Sequence, residues 1–338
     1  MTEAAATPAM LAPAALEQLL LQMWQIRCFE TRAGELFDEK LIHGPVHSYA
    51  GMEAIAVGVC SNLRPDDLIT STHRGHGHCI AKGLDLDRMM AEILGREDGY
   101  CRGHGGSMHI TAVDKGMLGA DAIVAGSSAI AVGAAHGLRL QGKDGVTVCF
   151  FGDGAANQGI LHEAFNLAAV LDAAVVFVCE NNQWAISTPI SAVTRVDDIA
   201  VRAAGYGFPG VVVDGNDVLA VRRSAADAVD RARSGAGPTL IEAKSYRIAP
   251  HSAARKEDSR APEELEAWRA RDPILRFTRY LVEEAGLPQA RIDELEAEAR
   301  QNVADAVEVA LASPRPRPGA ELDDVYAPAD WLTPGRLS

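Results

Sequence analysis

Short continuous apolar segments alternate along this chain with longer segments in which apolar residues recur every three or four positions. Val146 to Phe151 and Val175 to Val178 are continuous apolar segments, which is typical of strands buried on both faces of a sheet. The segment between them predicts a helix, and its larger apolar residues are Ile160, Phe165, Leu167 and Val170. The pattern therefore predicts a strand–helix–strand unit with two parallel neighbouring strands.

The same alternation continues on both sides of this unit and predicts an α/β fold, with a largely parallel sheet and helices on both faces. We expect three parts: a flexible segment at 1–15, an α/β domain at 16–285, and a C-terminal helix and arm at 286–338. The other helices are predicted at 16–40, 51–60, 127–140, 220–232, 262–285 and 288–312, and the other strands at 67–71, 211–213 and 238–245.

Composition narrows the class of function. The 338 residues carry a net charge of −14, which argues against binding to nucleic acid or to an anionic membrane surface. The apolar segments are too short to span a bilayer, and no basic region precedes the apolar N-terminal residues, so we expect a cytoplasmic protein. The six cysteines form no CxxC motif, which favours reduced, buried thiols.

One glycine turn stands out between the predicted strand and helix. Gly152 and Gly154 flank Asp153, and Asn182 follows the next strand 29 residues later. A right-handed strand–helix–strand unit of this length brings both side chains to the carboxyl edge of one sheet, where open α/β folds bind ligands. A carboxylate and an amide oxygen suit Mg²⁺, which uses few protein ligands besides phosphates and water.

The strings GDGAANQG, ENN and STP resemble the alpha subunit of the decarboxylating component of 2-oxo acid dehydrogenase complexes, which includes pyruvate, acetoin and branched-chain members. The resemblance covers residues 20 to 281 and implies the thiamine-diphosphate-binding fold, with thiamine diphosphate and Mg²⁺ as cofactors. It implies that Asp153, Asn182 and the backbone carbonyl of Trp184 hold the metal ion. It also implies that the N–H groups of Gly154 and Ala155, at the start of a helix, meet the diphosphate.

Further contacts are carried over from the same resemblance. His73 and Arg74 align with a pair that contacts the diphosphate, and Ala122 and Val124 align with backbone contacts to the aminopyrimidine ring. His251 matches a loop histidine that acts as a proton donor near the reacting carbon or as a diphosphate contact.

Several alternatives remain open for the other polar residues. His47 matches a histidine that faces the substrate. Arg247 is a second candidate for the diphosphate, and Glu53 is either a catalytic base or a structural carboxylate. The histidines of residues 73–79 would also suit a zinc loop, although they lack the second ligand pair of a structural zinc site.

The cofactor also needs a carboxylate against its pyrimidine ring, and the chain has no second acidic motif for that role. In the family, a beta subunit supplies this group, which implies two alpha and two beta chains. The resemblance further implies that a loop at 247–261 meets a lipoyl-bearing acyltransferase. In this chain Ala253 to Lys256 replace the acidic residue that helps to order this loop in relatives.

The substrate signals conflict. Residues 71–83 and 115–120 resemble acetoin dehydrogenases, residues 152–159 resemble pyruvate dehydrogenases, and residues 181–189 resemble branched-chain members. The combination predicts an oxidoreductase with a lipoyl acceptor that acts on pyruvate or acetoin, with pyruvate dehydrogenase as the leading type. The alternatives are a branched-chain enzyme, a non-catalytic paralogue and a transketolase-like enzyme.

Overall fold

The computed structural model describes residues 11–255, 257–323 and Val325. The strands are β1 (Leu68–Thr70), β2 (Thr147–Gly152), β3 (Val175–Asn181), β4 (Trp184–Ala185), β5 (Thr188–Pro189), β6 (Gly210–Asp214) and β7 (Thr239–Lys244). The α-helices are α1 (Pro13–Asp38), α2 (Glu53–Cys60), α3 (His76–Ala81), α4 (Leu86–Ile93), α5 (Gly126–Leu140), α6 (Gly159–Val170), α7 (Val218–Arg233), α8 (Pro262–Arg269), α9 (Pro273–Glu283) and α10 (Gln289–Ala312).

Five strands form one sheet in the order β1-β2-β3-β7-β6, and every neighbouring pair is parallel. The carboxyl ends of all five strands therefore lie at the same edge. This arrangement confirms the α/β fold class with a parallel sheet, and it brings the segments that follow β1, β2, β3 and β7 side by side.

Helices cover both faces of the sheet, as the continuous apolar strands predict. In β2, Val148 and Phe150 pack into the core shared with α1, α2, α4, α7 and α10. Cys149 and Phe151 face the opposite way, into the core shared with α5 and α6. Cys149 and Cys179 are buried free thiols, as predicted.

Two local predictions were wrong in detail, and the burial of α6 is a further finding. The polar loop predicted at 72–78 turns into α3 at His76, so its last residues are helical. The helix predicted at 262–285 is interrupted, because Pro273 lacks the N–H that would continue the helix and Asp272 caps a new one. In α6, of the apolar residues named above, only Phe165 is buried, and Ile160, Leu167 and Val170 are exposed.

The predicted C-terminal helical extension is present as α10, which packs along α1 and α4. Its buried stripe is the predicted one, with Ile292, Leu295, Ala299, Val303, Ala306 and Ala310 against the core. The predicted packing arm with Tyr326 and Trp331 lies outside the described residues. No helix within 11–255 and 257–323 has both the length and the apolarity needed to cross a bilayer.

Candidate active site

A cavity of about 200 Å³ opens at the carboxyl edge of the sheet. Four strands contribute to its lining: Arg74 follows β1, Asp153 follows β2, Asn182 follows β3 and His251 follows β7. Residues that lie up to 177 positions apart in sequence thus meet at one site. The parallel register of the strands explains this convergence.

Asp153 is the buried carboxylate of the cavity, with 3% of its surface exposed. Burial raises the pKa of its carboxyl group to about 6 from 3.8, although the nearby Arg247 and Arg74 partly oppose the shift. Its Oδ2 atom has no hydrogen-bond partner among the described residues. A buried oxygen without a partner costs free energy, which a bound cation would recover.

Asn182 and Trp184 follow β3 and complete the predicted metal-binding set around the cavity. The Asn182 side chain is buried, and its Oδ1 accepts a hydrogen bond from the Trp184 backbone N–H at 3.3 Å. The Trp184 indole Nε1 donates to Glu264 Oε1 of α8 at 3.0 Å, which fixes the segment that carries the Trp184 carbonyl.

The turn after Asp153 differs from the prediction in its secondary structure. Ala155–Asn157 form a single 3₁₀ turn, Gln158 is extended, and the α-helix begins only at Gly159. The prediction that Gly154 and Ala155 begin the helix was therefore wrong, and the dipole of α6 does not start at these residues. Their position at the cavity is retained, since both line it.

Arg74 and Arg247 are buried guanidinium groups, with 5% and 2% of their surfaces exposed. Arg74 donates to the carbonyls of Ser48 and His251, and Arg247 donates to the Ile186 carbonyl. Neither forms an ion pair with a described carboxylate, and among the described residues Nε and Nη1 of Arg247 have no hydrogen-bond partner. Burial lowers the pKa of Arg74 to about 10 and that of Arg247 to about 9, and the more distant carboxylates Glu30 and Glu180 (for Arg74) and Asp258 and Asp153 (for Arg247) oppose the shift only in part.

His47, His73 and His251 form a cluster beside Arg74. Their ring centroids are 4.8 Å (His47 to His73), 4.9 Å (His47 to His251) and 5.7 Å (His73 to His251) apart. Burial, reinforced by the Arg74 charge, lowers the pKa values to about 2, 3 and 4 for His47, His73 and His251. The three imidazoles are therefore neutral near pH 7, and His47 Nδ1 has no partner among the described residues.

The loop that carries His251 is held by a cation. Arg260 donates to the carbonyls of Arg247 and Ala249 and forms an ion pair with Asp258 at 2.6 Å. Its guanidinium carbon also lies 5.1 Å from the centre of the Tyr246 ring. The sequence lacks the acidic residue that relatives have directly after His251, and in the structure Arg260 connects two carbonyl groups of this loop with Asp258.

Sequence analysis missed a buried network at the base of the cavity. Glu180 accepts hydrogen bonds from Tyr49 and, at 3.0 Å, from His78, whose other ring nitrogen bonds Ser71 at 2.7 Å. Glu180 and Ser71 both line the cavity. The position of Glu180, directly before Asn181 and Asn182, was the one signal that could have indicated it.

Ile186 is a second feature that the sequence did not reveal. It lines the cavity with 49% of its surface exposed, and its φ angle is +56°, which is rare for a β-branched residue. Such a conformation costs on the order of 1–3 kcal/mol and persists only where the surroundings impose it. The hydrogen bond from Arg247 to the Ile186 carbonyl provides one such constraint.

The remaining candidate residues from the sequence have mixed positions relative to the cavity. Val124 lines the cavity, whereas Ala122 is not among the lining residues. Glu53 forms an ion pair with Arg27 and accepts the Gly51 N–H, which is the structural role. Among the described residues, the only group of three with the spacing of metal ligands is His47, His73 and His251, so residues 73–79 do not form a zinc loop by themselves.

These features fit a phosphate ester bound with a divalent cation. The unpartnered oxygen of Asp153 suits the cation, and the two buried guanidinium groups of Arg74 and Arg247, which form no ion pair with a described carboxylate, suit phosphate oxygens. Gly154 lines the cavity without a side chain, and a Cβ atom there would lie 2.7 Å from Ala185 Cβ. The donor set therefore matches a diphosphate cofactor with its metal ion.

Comparison with known proteins gives one family. Residues 21–319 match the family model described as dehydrogenase E1 component. The chain is 48% identical over 306 residues to the alpha subunit of acetoin:2,6-dichlorophenolindophenol oxidoreductase from Bacillus subtilis, covering 90% of this chain and 91% of that protein. It is 44% identical to the subunit of the same name from Cupriavidus necator, covering 90% and 92% of the two chains.

Relatives named for another substrate are also similar. The chain is 39% identical over 297 residues to the alpha subunit of the pyruvate dehydrogenase E1 component from Porphyra purpurea, with 86% of each chain covered. The matches span most of each of these proteins, so the similarity concerns the whole alpha subunit.

Proposed function

The chain belongs to the dehydrogenase E1 component family, and we propose that this alpha subunit serves an E1 that cleaves acetoin and passes the acetyl group to a lipoyl-bearing acyltransferase. Members of the family depend on thiamine diphosphate, and their alpha subunits work with a beta subunit. The choice of acetoin rests on the higher identity to the relatives named for acetoin, 48% and 44%, than to the relative named for pyruvate, 39%. It is supported by the cluster of unprotonated histidines beside the cavity.

The reaction itself explains why neutral imidazoles favour acetoin. Breaking the bond between the carbonyl and carbinol carbons of acetoin requires a base that takes the hydroxyl proton. Decarboxylation of a 2-oxo acid releases CO₂ and needs no such base. His251, with a pKa lowered to about 4, lines the cavity in its unprotonated form, and His47 packs against it at 4.9 Å.

We assign the cofactor contacts to residues that line the cavity and to Arg247, which does not line it but donates to the carbonyl of the lining residue Ile186. Asp153, Asn182 and the Trp184 carbonyl would hold Mg²⁺, and Arg74 and Arg247 would hold the diphosphate. Thiamine diphosphate, when bound, would supply the carbon nucleophile for the reaction. The protein binds and orients the reactants, and its histidines hold and move the proton.

The proposed substrate can be tested directly with the reconstituted complex of alpha and beta chains. We expect reduction of 2,6-dichlorophenolindophenol with acetoin, with kcat/KM at least tenfold higher than with pyruvate. The His251→Gln variant should lose about 10²- to 10⁴-fold in kcat with acetoin, as expected for a general base. Because the pKa of His251 lies at about 4, the wild-type kcat/KM should not fall through loss of this base until the pH drops below about 5. Turnover of pyruvate at a higher kcat/KM than acetoin would instead support the pyruvate dehydrogenase type.

An exposed apolar surface supports an interface with the beta subunit. We define this helix-pair surface by Ile130 and Leu140 of α5 and by Ile160, Leu167 and Val170 of α6, all 38–74% exposed. Contiguous exposed apolar residues mark interaction sites. Both helices adjoin the cavity, since α5 follows Ala125 and α6 follows the Asp153 turn. A beta chain on this surface would close the cavity and could supply the carboxylate that the pyrimidine ring of the cofactor needs. We infer two alpha and two beta chains for the assembly.

Gly133 provides a test of the helix-pair surface. It is exposed in α5, and a Cβ atom there would meet no atom within 4 Å. We expect Gly133→Leu to leave the alpha chain folded, since leucine favours helix by up to about 1 kcal/mol over glycine, but to block tight approach of the beta chain. Light scattering after size exclusion should show a loss of assembly.

Gly34 of α1, on the opposite face of the sheet, also has no atom within 4 Å of a Cβ, so Gly34→Leu is the matched control. Normal assembly of the Gly133→Leu variant would remove this surface as the beta-subunit interface.

A further inference from the structure

A 3₁₀ helix at Ile199–Tyr206 is connected by hydrogen bonds to both of the loops that carry the proposed metal ligands, to the first directly and to the second through Glu242. It lies against α6, β6 and β7, beside the turn after β2 and the end of β3. Two separate sets of hydrogen bonds connect it to these loops. None of the residues in these sets lines the cavity.

The first connection is made by Arg202, which holds the turn after Asp153. Its Nη1 donates to the Ala156 carbonyl at 2.5 Å, and its Nη2 donates to Asn157 Oδ1 at 2.9 Å. The Asn157 amide in turn donates to Thr194 Oγ1 at 3.2 Å. The 3₁₀ turn that follows Asp153 is thus held from outside the sheet.

The second connection is made by Glu242 of β7, which is fully buried. Its Oε1 accepts from the Asn181 side-chain amide at 2.7 Å, and its Oε2 accepts from the Ala200 backbone N–H at 2.8 Å. One carboxylate therefore joins the 3₁₀ helix to the residue directly before Asn182. The register of β3 with β7, in which Cys179 lies opposite Glu242, places the two groups within reach.

The chemistry of Glu242 is unusual for a purely structural residue. It is fully buried, its hydrogen-bond donors among the described residues are an amide and a backbone N–H rather than a cation, and burying a carboxylate without an ion-pair partner is costly. Both of its oxygens are used to hold backbone or amide donors, which makes the geometry rigid. An apolar residue would fill the space at lower cost but would leave Asn181 and Ala200 unconnected.

We propose that Arg202 and Glu242 are positioning residues that, through the 3₁₀ helix, set the separation of Asp153 and Asn182 for the divalent cation. This inference rests on the metal site given under the proposed function. Mg²⁺ requires near-ideal octahedral geometry at about 2.0–2.1 Å, so two ligands on separate loops must be held to within tenths of an ångström. Residues behind the direct ligands typically contribute about 10- to 100-fold to metal affinity.

The experiment measures Mn²⁺ binding in place of Mg²⁺ by electron paramagnetic resonance, on the alpha–beta complex with thiamine diphosphate. We expect Arg202→Ala to weaken Mn²⁺ binding by about 10- to 100-fold. Arg202→Lys keeps the positive charge but loses the two parallel N–H donors of the guanidinium group, and it should weaken binding less. Glu242→Gln replaces one acceptor by a donor and should weaken binding similarly. At saturating metal, kcat should stay within about threefold of wild type, because the chemistry is unaltered.

Arg195 is the matched control, since it is an exposed arginine in the same segment. Arg195→Ala should leave Mn²⁺ affinity unchanged, and the cofactor-free complexes of the control and of Arg202→Ala should melt at the same temperature. The inference would be overturned if the Arg202→Ala variant bound Mn²⁺ with wild-type affinity. It would also be overturned if the variants lost Mn²⁺ affinity only in proportion to a loss of melting temperature. If Asp153→Asn also retained full affinity, the metal site itself would fail, which separates the two hypotheses.

Discussion

Replacing Asp153 by asparagine is expected to abolish metal-dependent cofactor binding while leaving the cofactor-free protein at least as stable as the wild type. The carboxylate is the one anionic group among the proposed ligands, so an amide would lose at least about 100-fold in Mg²⁺ affinity. Titration calorimetry of the alpha–beta complex with thiamine diphosphate and Mg²⁺ measures this loss. Unchanged affinity would refute the metal assignment.

The stability of the same variant gives an independent readout. Burial raises the pKa of Asp153 from 3.8 to about 6, so the ionised group disfavours the folded state at pH 7 by about 3 kcal/mol at most. This cost is present above pH 6 and disappears as the pH falls below 3.8. The cofactor-free Asp153→Asn complex should therefore melt at a higher temperature than the wild type at pH 7, with a smaller difference at pH 4.

Replacing Gly154 by alanine is expected to weaken cofactor binding through a single steric contact. The added methyl group would lie 2.7 Å from Ala185 Cβ, closer than Cβ atoms approach in proteins. The collision would displace the hairpin of β4 and β5, which carries Trp184 and its carbonyl. We expect the affinity for thiamine diphosphate with Mg²⁺ to fall about 10- to 100-fold, as measured by calorimetry.

A second substitution, Ala185→Gly, removes the methyl group of Ala185. The methyl group that Gly154→Ala adds would then have space. The double variant should regain most of the lost affinity, whereas Ala185→Gly alone should bind the cofactor almost as the wild type does. Coupling of this kind identifies a direct contact. A double variant as weak as Gly154→Ala would show that glycine is needed for another reason, such as backbone approach to the diphosphate.

Several parts of the site were accessible from local sequence patterns. The continuous apolar strands, the glycine turn and the spacing of 29 residues to Asn182 predicted that Asp153 and Asn182 share one edge of a sheet, and both line the cavity. His73, Arg74 and His251 were inferred from motifs, and the structure brings them together as well. Their roles in binding and catalysis remain predictions.

Other features could not be inferred because they depend on contacts between distant residues. Arg260 orders the His251 loop through carbonyl groups 11 and 13 residues away, and no periodicity indicates such a contact. Glu242 bonds Asn181 across 61 residues, which only the β3–β7 register reveals. The exposure of Ile160 depends on which side of α6 meets the sheet.

By itself, the sequence determined the parallel α/β architecture, the order of its elements and the loops that carry the polar residues, because hydrophobic periodicity and turn residues act over a few positions. The tertiary structure decided which helix faces stay uncovered, where α6 begins, and that Arg74 and Arg247 are buried without an ion pair to a described carboxylate. These outcomes depend on packing and desolvation, which arise only when segments far apart in the chain exclude water from the same space.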